Sequence, residues 1–298
     1  MQWRIINDRR PLIEWTSDKL AQLEYVSRLK TQNRSLEALR LPEVYWVGKN
    51  LRELEALSTQ LPQRFVIKPN HSSGRYLLID QLKGALDWGQ VAESANRWIA
   101  PDEEELVFGH WPYGKARHLL VAQERIGRNS FPESEMRGWI FGGTLKQVTR
   151  FEPARRAASN YDHRFVRLDS GRVIDRPVDE LNHFDRLSKA RKEMLVHLME
   201  QIAAPFDHMR VDIFVDDDCF WFNELSPFAL SGLAHYPDYR FDLERGSHWR
   251  LPQLGSLDQS AAEWKQLLEG EPLGTIQRGA SSTYTNPDSG SPKGLPNA

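Results

Sequence analysis

Apolar residues recur at helical spacing over residues 17–30, as Leu20, Leu23, Val26 and Leu29, with Ser17 or Asp18 placed to cap the first turn. Past Pro42 the period shortens, and Val44-Tyr45-Trp46-Val47 predicts a strand, followed by helix over 50–58. Arg64 to Asn70 predicts a buried strand closed by Pro69. The polar loop His71-Ser72-Ser73-Gly74-Arg75 follows, and then a strand from Tyr76 to Ile79. Residues 84–100 are helical in pattern, and 117–122 form an apolar strand that runs into Gln123-Glu124-Arg125-Ile126. Arg137 to Phe141 and Thr144 to Phe151 flank Gly142-Gly143, a tight hairpin turn. Residues 152–182 are polar and irregular, which predicts loops around a site. Residues 185–204 predict an amphipathic helix. A second hairpin runs from His208 to Val215 and from Cys219 to Leu225, turning at Asp216-Asp217-Asp218. Hairpins mixed with helices predict an α+β fold with antiparallel sheets. After about residue 275 the chain is rich in Ser, Gly, Pro and Asn, so residues 276–298 are expected to be a disordered tail.

Composition narrows the class. A chain of 298 residues holds one large domain or two closely packed ones. It is 40% hydrophobic and 27% charged, with a net charge of −2 and the two signs interspersed, which argues against nucleic acid or an acidic membrane as partner. One cysteine, Cys219, allows no internal disulfide. The first residues lack a secretory apolar core, and no run approaches the ~20 apolar residues of a membrane span, so a cytoplasmic protein is expected. Ten tryptophans suit either a large core or a ligand-lined cleft.

The second hairpin sets charges inside apolar strands. If the three aspartates form its turn, Val215 faces Cys219, Arg210 faces Glu224 and Asp212 faces Phe222. Asp212 and Glu224 are then diagonal neighbours on one face, about 7–8 Å apart. Two carboxylates at that separation can share a hard cation such as magnesium, which also takes substrate phosphates. The same pattern also suits a structural pair of Arg210 with Asp212 or Glu224 at a sheet edge. A loop one residue longer would put the two acids on opposite faces.

Lys68 ends a strand ahead of a loop of small residues. Such a loop offers backbone N–H groups to phosphate oxygens, and the lysine adds a point charge, although a polar hairpin turn reads the same way. No Walker pattern is present. His71 lies beside Ser72 and Ser73 without a nucleophile elbow, and His110, His118, His163, His183, His197 and His235 lack zinc spacing.

The order of these pieces resembles the ATP-grasp superfamily, and within it the TupA-like group linked to teichuronopeptide and polysaccharide biosynthesis. Asp18-Lys19-Leu20-Ala21 through Tyr25-Val26, Phe65 to Gly74, Val121 to Ile126, Glu135-Met136-Arg137 with Phe141-Gly142-Gly143, and Met209 to Ile213 with Phe222 to Leu225 carry the resemblance over about residues 16–250. It implies two α+β subdomains enclosing ATP. Residues 1–60 would pack on the core, 61–122 would form the first subdomain and 123–275 the catalytic one. Lys68 would hold the α- and β-phosphates, under the loop of His71, Ser72, Ser73 and Gly74, with Lys19 as a further phosphate ligand. Gln123 and Glu124 would lie at the adenine and ribose hinge. Asp212 and Glu224 would hold Mg2+. Ser226 stands where many members carry a third, asparagine ligand, and Gln123 where they carry an acid. Arg137 and Arg210 would face the transferring phosphoryl group.

Such a site implies that a carboxylate attacks the γ-phosphate of ATP and that an amine then attacks the acyl-phosphate with water excluded. The expected partners are a small-molecule or glycan carboxylate and an amine acceptor. Phe108 to Tyr113 and Ala154 to Arg176 are expected walls of the site. Arg155, Arg156 and Arg164 suit either an anionic substrate or a solvated basic loop, and Ser231-Gly232 could bind a carboxylate through backbone N–H groups. A small-molecule kinase and a nucleotide-binding protein without turnover remain alternatives on the same fold.

Overall fold

The structure, a computed structural model, describes residues 1–84, 86–99, 109–127, 134–151, 165–169, 172–175, 184, 187–216, 219–232 and 239–252. Arg155, Arg156, Arg164, Phe108 and the tail from 276 lie outside the described residues. Two short helices, α1 (Gln2–Asn7) and α2 (Pro11–Trp15), precede α3 (Lys19–Gln32). Asp18 caps α3, its side chain accepting from the Ala21 N–H, which satisfies one of the first-turn donors that a helix leaves open. The strands β1 (Leu39–Arg40) and β2 (Val44–Gly48), the helix α4 (Leu51–Ala56), the strands β3 (Arg64–Pro69) and β4 (Leu77–Asp80), and the helix α5 (Trp88–Ile99) come next. The remaining strands are β5 (Leu120–Glu124), β6 (Ser134–Phe141), β7 (Thr144–Phe151), β8 (Phe165–Asp169), β9 (Arg172–Asp175), β10 (His208–Val215) and β11 (Phe220–Ser226). Helix α6 (Lys189–Ala203) precedes β10, and α7 (Tyr239–Ser247) follows β11.

These strands make two sheets, an α+β architecture of mostly antiparallel pairs. The larger has the order β1-β11-β10-β6-β7-β8-β9 and the smaller β2-β5-β3-β4. Gly142 and Gly143 turn the β6–β7 hairpin with φ of 54° and 76°, the left-handed pair that a two-residue turn demands. The first 60 residues contribute to both sheets: β1 runs parallel to β11 at the edge of one, and β2 pairs with β5 in the other. Residues 165–169 and 172–175 correct the expectation of irregular loops over 152–182, the rest of which lies outside the described residues. Phe165-Val166 and Val173-Ile174 carry β-branched and aromatic residues, and they extend the large sheet as β8 and β9. The surrounding polar residues obscured that short pattern.

Alternation along the strands decides which face is core. Met136, Ile140, Met209, Val211 and Ile213 on the large sheet pack with Leu195, Leu198, Met199 and Ile202 of α6. The opposite face carries Arg137, Trp139 and Phe141 on β6 and His208, Arg210 and Asp212 on β10, whose register places Phe141 opposite His208, Trp139 opposite Arg210 and Arg137 opposite Asp212. In the small sheet, Phe65, Ile67, Leu120 and Ala122 pack under α4 and α5. Val44, Val47 and Val121, on its other face, join the core cluster of the large sheet. Lys68 is paired across strands with Val121, and Gln123 with Val66, so both lie on this second face.

Candidate active site

The acid pair depends on one irregularity in β11. Val215 lies opposite Phe220 and Ile213 opposite Phe222, whereas Asp212 lies opposite Glu224 and Arg210 opposite Ser226. The connection is longer than the three aspartates, since the Asp216 N–H donates to the Cys219 carbonyl at 3.0 Å. A longer turn alone would have sent the acids to opposite faces. The register shift after Asp212 leaves Asn223 as an extra residue on β11 and brings Glu224 back to the Asp212 side. The expected pairings of Val215 with Cys219, Arg210 with Glu224 and Asp212 with Phe222 are thereby corrected. The two acids are direct cross-strand partners rather than diagonal ones.

Around them charges alternate. Asp212 is fully buried and accepts from Arg210 Nε at 2.8 Å and from a second guanidinium nitrogen at 2.6 Å. The same guanidinium reaches Glu224 at 3.2 Å. Arg137 stands 3.7 Å from Asp212 and donates to Glu135 at 2.9 Å, and Asn223 donates to the other Glu135 oxygen at 2.8 Å. Both readings of the hairpin are therefore realised together: Arg210 is a buried ion-pair partner, and the carboxylates converge. Burial pushes the Asp212 carboxyl up, against Arg210 and Arg137, with the charges of Glu135 and Glu224 adding to the push. Burial also opposes charge on Glu224, but Lys19, Arg210, Arg137 and Lys68 outweigh it and hold that carboxyl below its usual range.

Lys19 and Lys68 come to this cluster from the other side. Burial and the neighbouring Lys19 charge lower the Lys68 ammonium to about 8, with Glu224 and Glu135 opposing. Glu224 of the large sheet, Lys68 of the small sheet and Lys19 at the first turn of α3 thus lie within electrostatic reach of one another. Asn70, fully buried, fixes that meeting. Its side chain accepts from the Leu20 N–H at 2.8 Å and donates to the Arg117 carbonyl at 2.9 Å, while its own carbonyl accepts from the Lys19 N–H at 3.1 Å. Asp18 adds a fork with Arg117, both contacts at 2.8 Å. Burial works against the Asp18 carboxylate, but Arg117 and the Ala21 and Arg117 N–H groups hold it below the usual range. The Lys19 ammonium donates to the Ser72 carbonyl and so ties α3 to the loop after β3.

In that loop Ser73 and Gly74 are exposed, Gly74 with φ of 72°, while His71 and Ser72 are buried. The His71 ring stacks on His118 with centroids 3.9 Å apart, and burial, His118 and Lys19 lower it to about 4, so it is neutral near pH 7. Gln123 is buried on the same face as Lys68. By alternation Glu124 falls on the other face, where it accepts from the Glu43 N–H at 3.2 Å, and burial raises its carboxyl. Ser226 shares its face of β11 with Glu224, opposite Arg210. Ser231 is engaged by its side chain, 2.6 Å from His110 Nε2. Glu135, Asn70 and Arg117 are not among the site residues expected from the sequence, whereas His110 falls in the Phe108 to Tyr113 segment expected as a wall of the site. Glu135 carried a signal, since it lies two residues from Arg137 on the same strand face. The contacts of Arg117 and His110 span 99 and 121 residues and leave no local pattern.

Among the described residues, no group of three or more His, Cys, Asp or Glu side chains is arranged to hold a metal ion by itself. Magnesium does not require one, because it binds one or two carboxylates together with phosphates and water. Asp212 and Glu224 fit that demand. A carboxylate has about four lone-pair sites, so the Arg210 fork leaves acceptor capacity on Asp212, and a buried carboxyl discouraged from ionising gains from a divalent cation.

No protein-family model and no curated protein sequence matches the chain. Solved structures that resemble it include the ATP-grasp ligase PsnB complexed with minimal precursor, at 12% identity and TM-score 0.38 over 85% of this chain and 62% of that one. A D-alanine–D-alanine ligase from Bacillus anthracis complexed with ATP overlaps at 14% identity and TM-score 0.43, over 87% of this chain and 70% of that one. The macrocyclase MdnC bound with precursor peptide MdnA from Microcystis aeruginosa MRC overlaps at 15% identity and TM-score 0.38, over 87% and 64%. The chain spans about three fifths of the length of PsnB. Overlaps this loose carry no argument about activity, which rests on the residues. Among the described residues no helix is long and apolar enough to cross a membrane.

Proposed function

We propose that the chain is an ATP-grasp enzyme that uses Mg2+ and ATP to activate a carboxylate and join it to an amine. One observation carries this reading: two lysines from one side and two arginines with two paired carboxylates from the other enclose a single site. Lys68 and Lys19 are placed to bind phosphate oxygens, with the backbone of His71, Ser72, Ser73 and Gly74 covering them. Gln123, on the Lys68 face, and Glu124, at the strand end, are assigned to the nucleoside. Asp212, Glu224 and the hydroxyl of Ser226 are assigned to Mg2+, which supplies charge neutralisation at the phosphates. Arg210 and Arg137 are assigned to the charge that develops on the transferring phosphoryl group, the role preorganised cations serve best.

A paired carboxylate and amine fit the excess of cations. Four basic groups face three acids, a surplus that suits an anionic nucleotide and an anionic acceptor together. The TupA-like resemblance supports a carboxylate borne on a glycan or peptide conjugate of the cell surface, and we propose that the reaction is carried out in the cytoplasm. In domain terms, residues 61–122 supply the phosphate-binding half and 123–275 the catalytic half.

The test is a phosphate-release screen with ATP, Mg2+ and paired carboxylates and amines, including uronic acids and amino acids. Release that requires both substrates supports the ligase. A stable phosphorylated product from one substrate alone would assign a kinase instead, and ATP bound without turnover would assign a binding protein.

A further inference from the structure

Ser231 is the one non-glycine residue with positive φ among the described residues, at 54°. Outside glycine that conformation costs free energy and persists only where surroundings enforce it. They do so here. Gln2 Nε2 reaches the carbonyls of Ser231 and Gly232, both at 3.4 Å, and the next residue, Gly232, lies so close to Met1 that a Cβ there would stand 2.7 Å from the Met1 side chain. The Ser231 N–H donates to the Phe228 carbonyl at 2.8 Å. The turn is thus braced by the start of α1, and it aims one hydroxyl: Ser231 Oγ lies 2.6 Å from His110 Nε2. The imidazole neighbours Phe228, with ring centroids 5.9 Å apart, and Tyr113, at 5.2 Å.

The pair sits where the segment ahead of β5 meets the segment that leaves β11. Ser231 comes five residues after Ser226, and Ala229 of the same turn packs on Trp139 and Phe141. Those two residues share their strand face with Arg137, and Trp139 lies opposite Arg210. The turn therefore packs against the same face of the large sheet that bears the acid–base cluster.

We propose that Ser231 and His110 form the acceptor end of the site, where the hydroxyl binds the attacking amine and the imidazole takes up its proton. This inference rests on the ligase reading. Attack of the amine nitrogen on the acyl-phosphate carbon forms the C–N bond and breaks the C–O bond to phosphate, which leaves with that electron pair. Before attack the incoming ammonium gives one proton to Ser231 Oγ as the proton of Ser231 passes to His110 Nε2, and the second proton, shed by nitrogen as the amide forms, leaves with the phosphate. Burial lowers the His110 ring below its ordinary value, so it is unprotonated and able to accept. A base that acts only on an ammonium-derived nucleophile leaves carboxylate activation untouched.

His110→Gln keeps a polar side chain beside Ser231 without the proton acceptor. Ser231→Gly removes the hydroxyl and suits the left-handed backbone, so its melting temperature should match or exceed that of the parent. Each variant and the parent are assayed with ATP, Mg2+ and a panel of the standard amino acids and glucuronic acid. The amine is either one from the panel or hydroxylamine, a nucleophile already unprotonated at neutral pH. Both variants should keep hydroxamate formation, while amide formation falls about a hundredfold, the scale of general-base catalysis. Amide formation at the parental rate in both folded variants overturns the proposal. So does equal loss of hydroxamate and amide, which would place the pair in the first step. If the parent itself releases no ADP with any carboxylate, the ligase reading fails and this inference with it, an outcome distinct from the other two.

Discussion

Asp212 and Glu224 are direct cross-strand partners because a register shift at Asn223 restores a face that the longer turn would have reversed. Both acids therefore meet Arg210, which forks onto Asp212 and reaches Glu224 at 3.2 Å. If they act on one cation cluster, Asp212→Asn and Glu224→Gln should each lower turnover about a hundredfold, and the double variant should lose less than the product of the two. A purely structural pair predicts the reverse: a lower melting temperature and normal turnover per folded molecule. Calorimetry and steady-state kinetics on the same preparations separate the two.

Asn70 ties Lys19, Leu20 and Arg117 to the end of β3. Asn70→Ala removes two buried side-chain bonds and leaves the Leu20 N–H without that acceptor, a loss of about 2–3 kcal/mol. Because Lys19 is placed by the same contacts, nucleotide affinity should fall as well. Thermal melts with and without ATP check both effects. A normal melting temperature would mean that Asn70 is not the clamp.

Arg4 is a buried cation on α1. It donates to the carbonyls of His208 and Pro227 at 2.8 and 3.1 Å and to Asp207 at 2.7 Å, and its guanidinium lies 4.8 Å from the Trp249 ring centroid. Removing one partner of a buried ion pair costs about 3–5 kcal/mol, so Arg4→Met should be strongly destabilising. Denaturant unfolding of that variant reads the cost directly.

His208 predicts an acid limb. Its ring is buried against Phe141, donates from Nδ1 to the Ile140 carbonyl at 2.7 Å, and has its pKa lowered to about 3 by burial first and by Arg4 second. A folded pKa below the unfolded value of about 6.5 means that the unfolded chain binds the extra proton. The contribution is present above pH 6.5 and is lost as pH falls toward 3. His208→Gln should therefore flatten the stability curve between pH 6.5 and 4.5 relative to the parent. Parallel curves for the two proteins would contradict the assignment.

Much of this was legible in local pattern. Pro69 marks the end of β3, Gly142-Gly143 marks the β6–β7 turn, and apolar spacing marks α3 and α6. Those signals arise from backbone sterics and from burial of one face, which act over a few residues. The bulge at Asn223 left no such mark, because an extra residue in a strand changes pairing without changing composition. Likewise the Asp18–Arg117 fork and the His110–Ser231 contact join segments that only the tertiary fold brings together. The identities of Lys68, Asp212 and Glu224 were readable, and their convergence with Lys19 and Arg137 depended on how the two sheets meet.

The most direct test of the account is calorimetric titration of Mg·ATP into the parent protein and Lys68→Met. In the proposed site Lys68 binds phosphate as a charged donor, and such contacts are worth about 1.5–3 kcal/mol. The account predicts binding at one site per chain in the parent and at least about tenfold weaker binding in the variant, with the melting temperature unchanged. A parent that does not bind Mg·ATP, or a folded Lys68→Met that binds it equally well, would contradict the placement of the nucleotide between the two sheets.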